Sequence, residues 1–502
     1  MNVYYSEIRG KGKILIEKFL PTLYTSPMKT LKELGLRVPE ILLPADTPLN
    51  KWSVIACDQY TQDKEYWKKA EAAAGDGPST LNLILPEVYL NSPDKTERIA
   101  KIRRTMKEYL GAAVTGVPEK RSAVPVLRQA QEPQSEGPSS VFAPPFNGFV
   151  YIERKTAFGR MRRGLVAQID LETYEWKPFS KANIRATEAT IVDRIPPRKE
   201  IRKGAPLELP HIMLLVNDKD DLLVGGAQHI TAGAGREPLY KGDLMCNGGS
   251  ITGWGLYSDS DIACVTEALN KIADANTAAD GSTFLFAVGD GNHSLATAKA
   301  VWDEYKAELI AGGAGEAELA ENPVRFALIE VVNIYDKGLT FEPIHRVIFN
   351  IDAGALIKAL AGALGGTVSQ VAGQSELEEA VRASSADFGF DYIDEGGAQK
   401  FVLLRTPIKE LAVSRLQPEI DKFLKEAETA AGAAPEIDYI HGSEEVLGLG
   451  KKPGAVGILL PPIAKDSFFE TINGRGPLPR KSFSMGEADE KRFYLECRRL
   501  FG

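Results

Sequence analysis

Residues 284–305 are the segment that most constrains how this chain can fold. They begin with the apolar run FLFAV, pass through Gly289-Asp290-Gly291-Asn292, and continue into residues that favour a helix. The apolar positions that recur at helical spacing after the loop are Leu295, Ala298, Val301, Trp302 and Tyr305. The pattern therefore predicts a buried strand, a glycine loop, and a helix that starts at about His293.

A strand, a glycine loop and a helix start together are typical of an anion site. The first N–H groups of a helix have no partner within it, and the helix dipole favours negative charge there. Gly289 and Gly291 let the backbone approach a phosphate without an intervening Cβ. Asp290 is placed to hold a magnesium ion or to orient a hydroxyl, and His293 to bond a phosphate oxygen. The alternative is an ordinary turn, in which Asp and Asn bond their own backbone.

The composition excludes several classes of protein. The chain has 502 residues, with 60 Lys and Arg against 68 Asp and Glu, which gives a formal net charge of −8. This acidic balance argues against a nucleic-acid partner, and no apolar run reaches the roughly 18 residues of a membrane span. The four cysteines form no C-x-x-C pair, which argues against a zinc ribbon or a disulfide scaffold. The first residues lack a signal-peptide pattern, so we expect a cytoplasmic protein.

Strands and helices alternate unevenly along the chain, which predicts an α+β fold with a mixed sheet and flanking helices. We expect an N-terminal extension at residues 1–27 and a core at residues 28–346. Within the core, residues 118–146 are rich in Pro, Ser, Gln and Glu and predict a mobile insertion. Residues 347–502 are expected to form a C-terminal α/β subdomain. Its last helix is expected to start with a capping box at residues 484–487.

Four stretches, taken in order, resemble the motifs of one bacterial protein family. ATEATIVDR at residues 186–194 is similar to the pattern H-E-x-T-x-x-x-x-D-R, and GDGNHSLATAK at 289–299 to D-G-H-H-R-x-x-x-A. FEPIHRV at 341–347 resembles P-T-H-R-V. GILLPP at 457–462, followed by LPRKSFS at 478–484, resembles L-L-P-P and M-P-P-K-S-T. The chain thus resembles the family catalogued as domain of unknown function 1015.

The glycine box of that family is similar to those of ParB amino-terminal domains, sulfiredoxin and the archaeal free-serine kinase. In those proteins the box holds the phosphates of CTP, ATP and ADP, respectively. The resemblance therefore implies a ParB/sulfiredoxin-like core and a nucleotide partner, ATP or ADP with Mg²⁺. The residues to which it gives a phosphate-binding role are Gly289, Asp290, Gly291, Asn292 and His293.

The sequence departs from these relatives at two positions of the box. Ser294 stands where they place an arginine, so the guanidinium that would bind phosphate bidentately is missing. Asn292 stands where sulfiredoxin has its reactive cysteine, which excludes that chemistry. We therefore assign the missing positive charge to the other matched segments. The first candidate is Arg346, whose alternative role is a surface salt bridge or a carbonyl bond in a turn. The other candidates are Arg194 and Lys481.

Two further carboxylates are candidates for catalysis. Glu188, in the first matched stretch, is placed to act as a base or a metal ligand. In the alternative interpretation this stretch is purely structural, and Asp193 and Arg194 form an ion pair at a helix end. Asp58 follows the strand-like run WSVIAC, a position typical of catalytic groups, and its alternative is a helix cap or turn residue. Three histidines lack metal-ligand spacing and are expected to be structural: His211, His229 and His441.

These features lead to one functional hypothesis and two alternatives. The first is a phosphotransferase that binds a nucleotide and Mg²⁺ and acts on a small hydroxyl metabolite; the resemblance implies an amino acid. The second is a nucleotide-binding regulatory module with slow or no turnover, which the serine at position 294 favours. The third is a binding protein for an anionic metabolite, in which the nucleotide has no role.

Overall fold

The computed structural model of the protein describes residues 28–111, 141–189, 195–428 and 434–501. The predicted extension at residues 1–27, residues 118–140 of the predicted insertion, and Arg194 lie outside the described residues. Within those ranges, no helix has both the length and the apolar character that crossing a membrane requires.

The described helices, in chain order, are α1 (Leu49–Trp52), α2 (Lys64–Ala74), α3 (Lys95–Leu110), α4 (Ile195–Arg202), α5 (Val224–Ile230), α6 (Asp259–Ala275), α7 (Asn292–Ala311), α8 (Glu316–Glu321), α9 (Ala353–Leu364), α10 (Gln374–Arg382), α11 (Ala412–Glu428), α12 (Ser443–Gly450) and α13 (Lys465–Arg475).

The described strands are β1 (Leu36–Arg37), β2 (Glu40–Ile41), β3 (Val54–Ile55), β4 (Phe146–Asn147), β5 (Phe149–Lys155), β6 (Met161–Asp170), β7 (Tyr174–Glu175), β8 (Ile184–Ala186), β9 (Leu207–Glu208), β10 (Met213–Val216), β11 (Tyr240–Asp243), β12 (Ser250–Leu256), β13 (Phe286–Asp290), β14 (Phe326–Asn333), β15 (Phe341–Pro343), β16 (His345–Phe349), β17 (Thr367–Gln370), β18 (Phe388–Ile393), β19 (Gln399–Arg405), β20 (Glu436–Ile440), β21 (Ala455–Leu459), β22 (Phe483–Met485), β23 (Phe493–Tyr494) and β24 (Arg498–Arg499).

A large mixed sheet forms the first half of the molecule. Its strand order is β11-β12-β5-β6-β14-β10-β13-β8-β7, and β1 pairs with β6. Strand β13 is antiparallel to β10, so Asp290 lies opposite Met213, and parallel to β8, so Val288 lies beside Ala186. The ends of β8 and β13 and the beginning of β10 therefore meet at one edge of the sheet. The predicted α+β fold with a mixed sheet and flanking helices is confirmed.

The predicted strand–loop–helix segment is also confirmed. Phe286, Leu295 and Trp302 are buried in one core, in which β13 and α7 pack together. Tyr305 lies at the margin of this core and is half-buried. The helix begins at Asn292, one residue before the predicted start.

A second, antiparallel sheet contains the strands β17-β19-β18-β21-β16-β20. Side chains alternate across β16, so Ile348 packs in the core that includes α9 and α11, and Val347 in the core that includes α10 and α12. The division between core and C-terminal subdomain after residue 346 stays a prediction. In the structure, β16 begins the second sheet at His345.

The chain returns from the second sheet to the first half of the molecule. Strand β22 pairs with β15, β23 with β3, and β24 with β9. The predicted helix from residue 484 onwards is wrong. Phe493 is buried where β23 pairs with β3, and Cys497 is buried where it pairs with Leu42. The capping box, at Glu487 and Glu490, starts only one 3₁₀ turn. Tertiary contacts have overridden the local helical pattern here.

Candidate functional site

The candidate site lies at the sheet edge where β8 and β13 end and α7 begins. Gly291 makes the turn with φ +82°, in the left-handed region that favours glycine. A Cβ on Gly291 would lie 3.1 Å from Ile212 Cα, so the turn also packs closely against the start of β10. At Gly289, a Cβ would lie 2.6 Å from Met485 Sδ. Gly289 therefore allows close packing of the returning chain, a role that the sequence does not reveal.

The first turn of α7 has no side-chain cap and no acidic residue. The Gly291 N–H donates to Asp290 Oδ1 at 2.9 Å. Asn292 Oδ1 accepts from the Thr187 N–H at 3.2 Å, and its amide nitrogen lies 3.3 Å from Thr187 Oγ1. Asn292 thus connects the loop to the end of β8, and the uncapped helix start keeps its partial positive charge.

Lys491 brings a positive charge to this loop. Its Nζ lies 3.4 Å from Asp290 Oδ2, although the two residues belong to distant parts of the chain. Burial by itself would raise the pKa of Asp58, but His211, the Gln59 amide and Lys491 outweigh it and lower that pKa. Asp58 and Asp290 therefore both interact with Lys491, next to the start of α7.

Ser294 faces a chain of polar groups on another side of the helix start. Its Oγ lies 2.9 Å from His211 Nε2, and His211 Nδ1 lies 2.7 Å from the Tyr494 hydroxyl. The same hydroxyl donates to Cys57 Sγ at 3.1 Å. Burial raises the pKa of Cys57 to about 12, so this side chain is a neutral thiol. Asp58 Oδ2 lies 3.8 Å from His211 Nε2 and links this chain of groups to Lys491.

Glu188 lies against the returning segment at residues 481–483. Its Oε1 accepts from the Ser482 N–H at 3.1 Å, and the backbone at Lys481 and Phe483 also favours its charged form. Burial outweighs these donors and raises the pKa of Glu188. Lys481 is exposed, with a left-handed φ of +58°. The matched stretches that contain Glu188 and Lys481 are thus adjacent in space.

Arg346 and His345 lie at the start of the second sheet, on β16. The guanidinium of Arg346 is fully buried; its Nε donates to Gln417 Oε1 at 2.9 Å and another nitrogen donates to the Ile344 carbonyl. Its Nη2 has no hydrogen-bond partner among the described residues. Burial lowers the pKa of Arg346 to about 10, and Glu188 is among the groups that oppose this shift. His345 Nδ1 accepts from the Leu460 N–H at 3.0 Å.

The structure therefore brings most of the candidate residues to one region. The glycine loop, His293 and Ser294 are at the start of α7, Asp58 joins them through His211 and Lys491, and Glu188 pairs with the segment that contains Lys481. The catalytic and phosphate-binding roles of these residues, including Arg346, stay predictions. Lys491 and Tyr494 were missed because no motif marks them and their segment has a helical pattern. The lack of metal-ligand spacing predicts a structural role for His211, and its contact with Ser294, a residue distant in sequence, is not visible in that pattern.

The described residues contain no group of three or more His, Cys, Asp or Glu side chains arranged to hold a metal ion. A magnesium ion that arrives with a nucleotide needs fewer protein ligands, because phosphate oxygens and water complete its coordination. Asp290 fits that smaller role, and Asp58 is the second carboxylate that interacts with Lys491.

The comparisons with known proteins support the resemblance of the motifs. The family model described as "Protein of unknown function (DUF1015)" matches residues 41–137 and 139–423. None of the curated proteins matches the sequence.

Several solved structures are similar to the chain at low identity. Free serine kinase in complex with AMP has a TM-score of 0.32 and 12% identity, covering 66% of this chain and 90% of that one. A conserved hypothetical protein from Pyrococcus furiosus has a TM-score of 0.30 and 13% identity, covering 66% and 90%. SbnI with a C-terminal truncation, from Staphylococcus aureus, has a TM-score of 0.29 and 8% identity, covering 64% and 82%.

Proposed function

The chain belongs to the protein family described as "Protein of unknown function (DUF1015)", and we propose that it is a nucleotide-binding phosphotransferase. The observation that supports this most strongly is the pairing of Lys491 with Asp290 beside the uncapped start of α7. A helix start, a lysine and a carboxylate are the groups that hold the phosphates of a nucleotide and its magnesium ion.

In this proposal the phosphates bind at the first turn of α7. The N–H groups after Gly291 and the helix dipole attract the phosphate oxygens, and His293 and Lys491 add donors. The left-handed turn at Gly291 keeps side-chain atoms away from the approaching phosphate. The nucleotide is ATP or ADP, as the resemblance of the glycine box implies.

Asp290 would hold the magnesium ion, which neutralises phosphate charge when it is bound. Lys491 would move from Asp290 to a phosphate oxygen, since a bound anion competes for its charge. Glu188 would take the proton of the acceptor hydroxyl, because a carboxyl group with a raised pKa is a better base near neutral pH. The acceptor is a small hydroxyl metabolite, and an amino acid is the example that the resemblance implies.

A nucleotide-binding regulatory module is the second candidate function. The observation that favours it is the side chain of Ser294, which bonds His211 at a position where the relatives place an arginine. The guanidinium of Arg346, the first candidate for the missing charge, is buried and bonded to Gln417 and the Ile344 carbonyl. Weaker stabilisation of a transferring phosphoryl group would slow turnover without preventing nucleotide binding.

Thermal denaturation with ATP, ADP, CTP, GTP or inorganic phosphate, each with and without Mg²⁺, tests the binding step. We expect a magnesium-dependent rise in the denaturation midpoint with ATP or ADP. His293→Ala should remove this rise, and His229→Ala, at an exposed histidine on α5, should retain it. Ligand at about a hundred times its Kd stabilises by about 2.7 kcal/mol. A folded protein that responds to none of the nucleotides would contradict both nucleotide functions.

ADP formation from ATP separates the two nucleotide functions. A phosphotransferase forms ADP faster when an acceptor alcohol is added, and Asp290→Asn should abolish that increase. A regulatory module binds ATP equally well with or without an acceptor. Binding of inorganic phosphate alone, without preference for a nucleoside, would instead indicate a protein for anionic metabolites.

A further inference from the structure

We propose that the cavity beside Ser294 is the acceptor site of this phosphotransferase and that it takes a compact apolar alcohol. The inference rests on the proposed function for the phosphoryl donor. Its own evidence is the cavity, its polar end, and the pairing of the charges around it.

The cavity has a volume of about 150 Å³ and lies between α3, α4 and the first turn of α7. An empty apolar cavity of about 150 Å³ is large enough to bind benzene. Most of the side chains around this cavity are aliphatic. They include Leu83, Leu85, Leu90, Met106, Ile201 and Leu209.

Hydroxyl-binding groups converge at one end of the cavity. Ser294, His211, Tyr494 and Cys57 all line it, and Ser294 also belongs to the first turn of α7. An alcohol whose hydroxyl lies against Ser294 Oγ and His211 Nε2 is therefore held next to the proposed phosphate site. Its apolar body would extend over the leucine side chains. A pocket that is mostly apolar with a few converging polar groups is typical of small-molecule sites.

The charged side chains around the cavity are paired with one another. Arg198 bonds Glu87, and Arg202 Nη2 lies 2.6 Å from Glu208 Oε1. Each of these side chains already has a partner of opposite charge, and the Nε of Arg202 is the one buried nitrogen of these pairs without a hydrogen-bond partner among the described residues. An amino acid in this cavity would therefore bring an ammonium and a carboxylate to groups that are already in ion pairs. Burying such charges without partners costs several kcal/mol, whereas an uncharged alcohol has no such cost. The cavity therefore favours an alcohol over a free amino acid.

The contacts of His211 also suit the transfer step. In the tautomer that fits these contacts, His211 Nδ1 carries the proton and donates it to the Tyr494 oxygen, and the Tyr494 hydroxyl donates to Cys57. The Nε2 atom of His211 then has a lone pair that faces Ser294. The alcohol oxygen forms a bond to the terminal phosphorus of ATP while the bond from that phosphorus to the bridging oxygen breaks. The electron pair of the broken bond stays on the departing ADP. The alcohol proton passes to His211 Nε2, which would make His211 the base for this acceptor in place of Glu188.

Binding of benzyl alcohol and of L-serine, measured without nucleotide by NMR on the full chain, tests the cavity directly. Met106 lines the cavity and is one of seven methionines, so ¹³C-methyl methionine labelling gives it a separate signal that Met106→Leu identifies. We expect benzyl alcohol to shift the Met106 signal in a saturable way. L-serine should leave that signal in place.

A matched pair of variants locates the binding. Leu90 is a half-buried residue that lines the cavity, and Leu81 is a half-buried residue of the same core that does not line it. Leu90→Trp should weaken binding of benzyl alcohol at least tenfold, and Leu81→Trp should leave it within twofold. If L-serine binds and benzyl alcohol does not, the inference is overturned.

The two proposals fail in different measurements. A wild-type protein that binds ATP but shows no Met106 shift with benzyl alcohol overturns the acceptor site and leaves the nucleotide site intact. A protein that binds benzyl alcohol but never ATP overturns the acceptor role together with the proposed function. If both bind, ATP should phosphorylate benzyl alcohol, and Leu90→Trp should slow that reaction more than Leu81→Trp. Absence of any phosphorylated product with both ligands bound overturns the acceptor role.

Discussion

Lys491 Nζ lies 3.4 Å from Asp290 Oδ2, and this contact joins the glycine loop to the segment that returns from the second sheet. The loop itself carries a carboxylate and a histidine but no lysine or arginine in its first turn. The positive charge beside the loop therefore comes from Lys491, a residue far away in the sequence. A site of this kind is complete only when the returning segment is folded onto the first sheet.

We predict that Lys491→Met lowers the affinity for ATP about tenfold, which corresponds to about 1.4 kcal/mol. The variant would remove the proposed charge-assisted contact to phosphate. It would also leave Asp290 and Asp58 without the lysine with which both interact. Isothermal titration calorimetry with ATP and Mg²⁺ measures the change. Lys241→Met, at an exposed lysine on β11, should bind ATP as the wild type does. Equal affinities for the two variants would refute a phosphate-binding role for Lys491.

We predict that Gly291→Ala destabilises the protein and abolishes ATP binding. Alanine at φ +82° costs about 1–2 kcal/mol, and its Cβ would lie 3.1 Å from Ile212 Cα. Gly313→Ala is the matched control, because Gly313 has φ +93° and no atom within 4 Å of an added Cβ. Thermal denaturation should show a loss for both variants, larger for Gly291→Ala. Only Gly291→Ala should lose the ATP-dependent stabilisation, and a normal response to ATP would show that the turn has no role in binding.

The local part of the site could be predicted from the sequence because it lies in one continuous segment. The apolar run before Gly289 and the helical spacing after Asn292 define a strand and a helix without any distant contact. The structure places both where the pattern predicts, with Leu295 and Trp302 buried. The mixed sheet could also be predicted, because strands and helices alternate unevenly along the chain.

The rest of the site depends on contacts between residues that are far apart in the sequence. His211 has no metal-ligand spacing and meets Ser294 and Tyr494 only in the folded chain. Lys491 lies in a segment whose local pattern is helical, yet strand pairing and buried ion pairs determine its structure. The strand period of 2 and the helix period of 3.6 show only which face of a single element is buried. They do not show which distant residues meet in the folded chain.

We predict that Arg492→Met destabilises the protein by about 3–5 kcal/mol. Arg492 bonds Glu330, and its Nη2 lies 2.6 Å from Glu496 Oε2; both carboxylates are fully buried. Removing the guanidinium leaves buried charges with fewer partners, which is far more costly than losing an exposed pair. Arg162, whose Nη2 lies 3.4 Å from Glu330 Oε1, still neutralises part of the Glu330 charge in the variant. We therefore expect the loss of stability to lie near the lower value.

Chemical denaturation of the full chain measures the effect of Arg492→Met. Arg499→Met is its control, since Arg499 is half-buried on β24 and its replacement should change stability by no more than about 0.5 kcal/mol. Similar midpoints for the two variants would contradict a stabilising role for the buried ion pairs of Arg492.

We predict that His345 makes the protein less stable in mild acid. Burial, with smaller effects from Arg346 and His441, lowers the pKa of His345 to about 4, from an ordinary value near 6.5. Between these two pH values the unfolded chain binds a proton that the folded chain excludes. The free energy of unfolding is therefore highest above pH 6.5 and falls by up to about 3 kcal/mol as the pH decreases towards 4.

His345→Asn keeps an acceptor for the Leu460 N–H but does not titrate, so its denaturation midpoint should fall less steeply from pH 6.5 to 4. His229→Asn, at an exposed histidine, should follow the wild type, and parallel curves for all three proteins would show that His345 is not the titrating group.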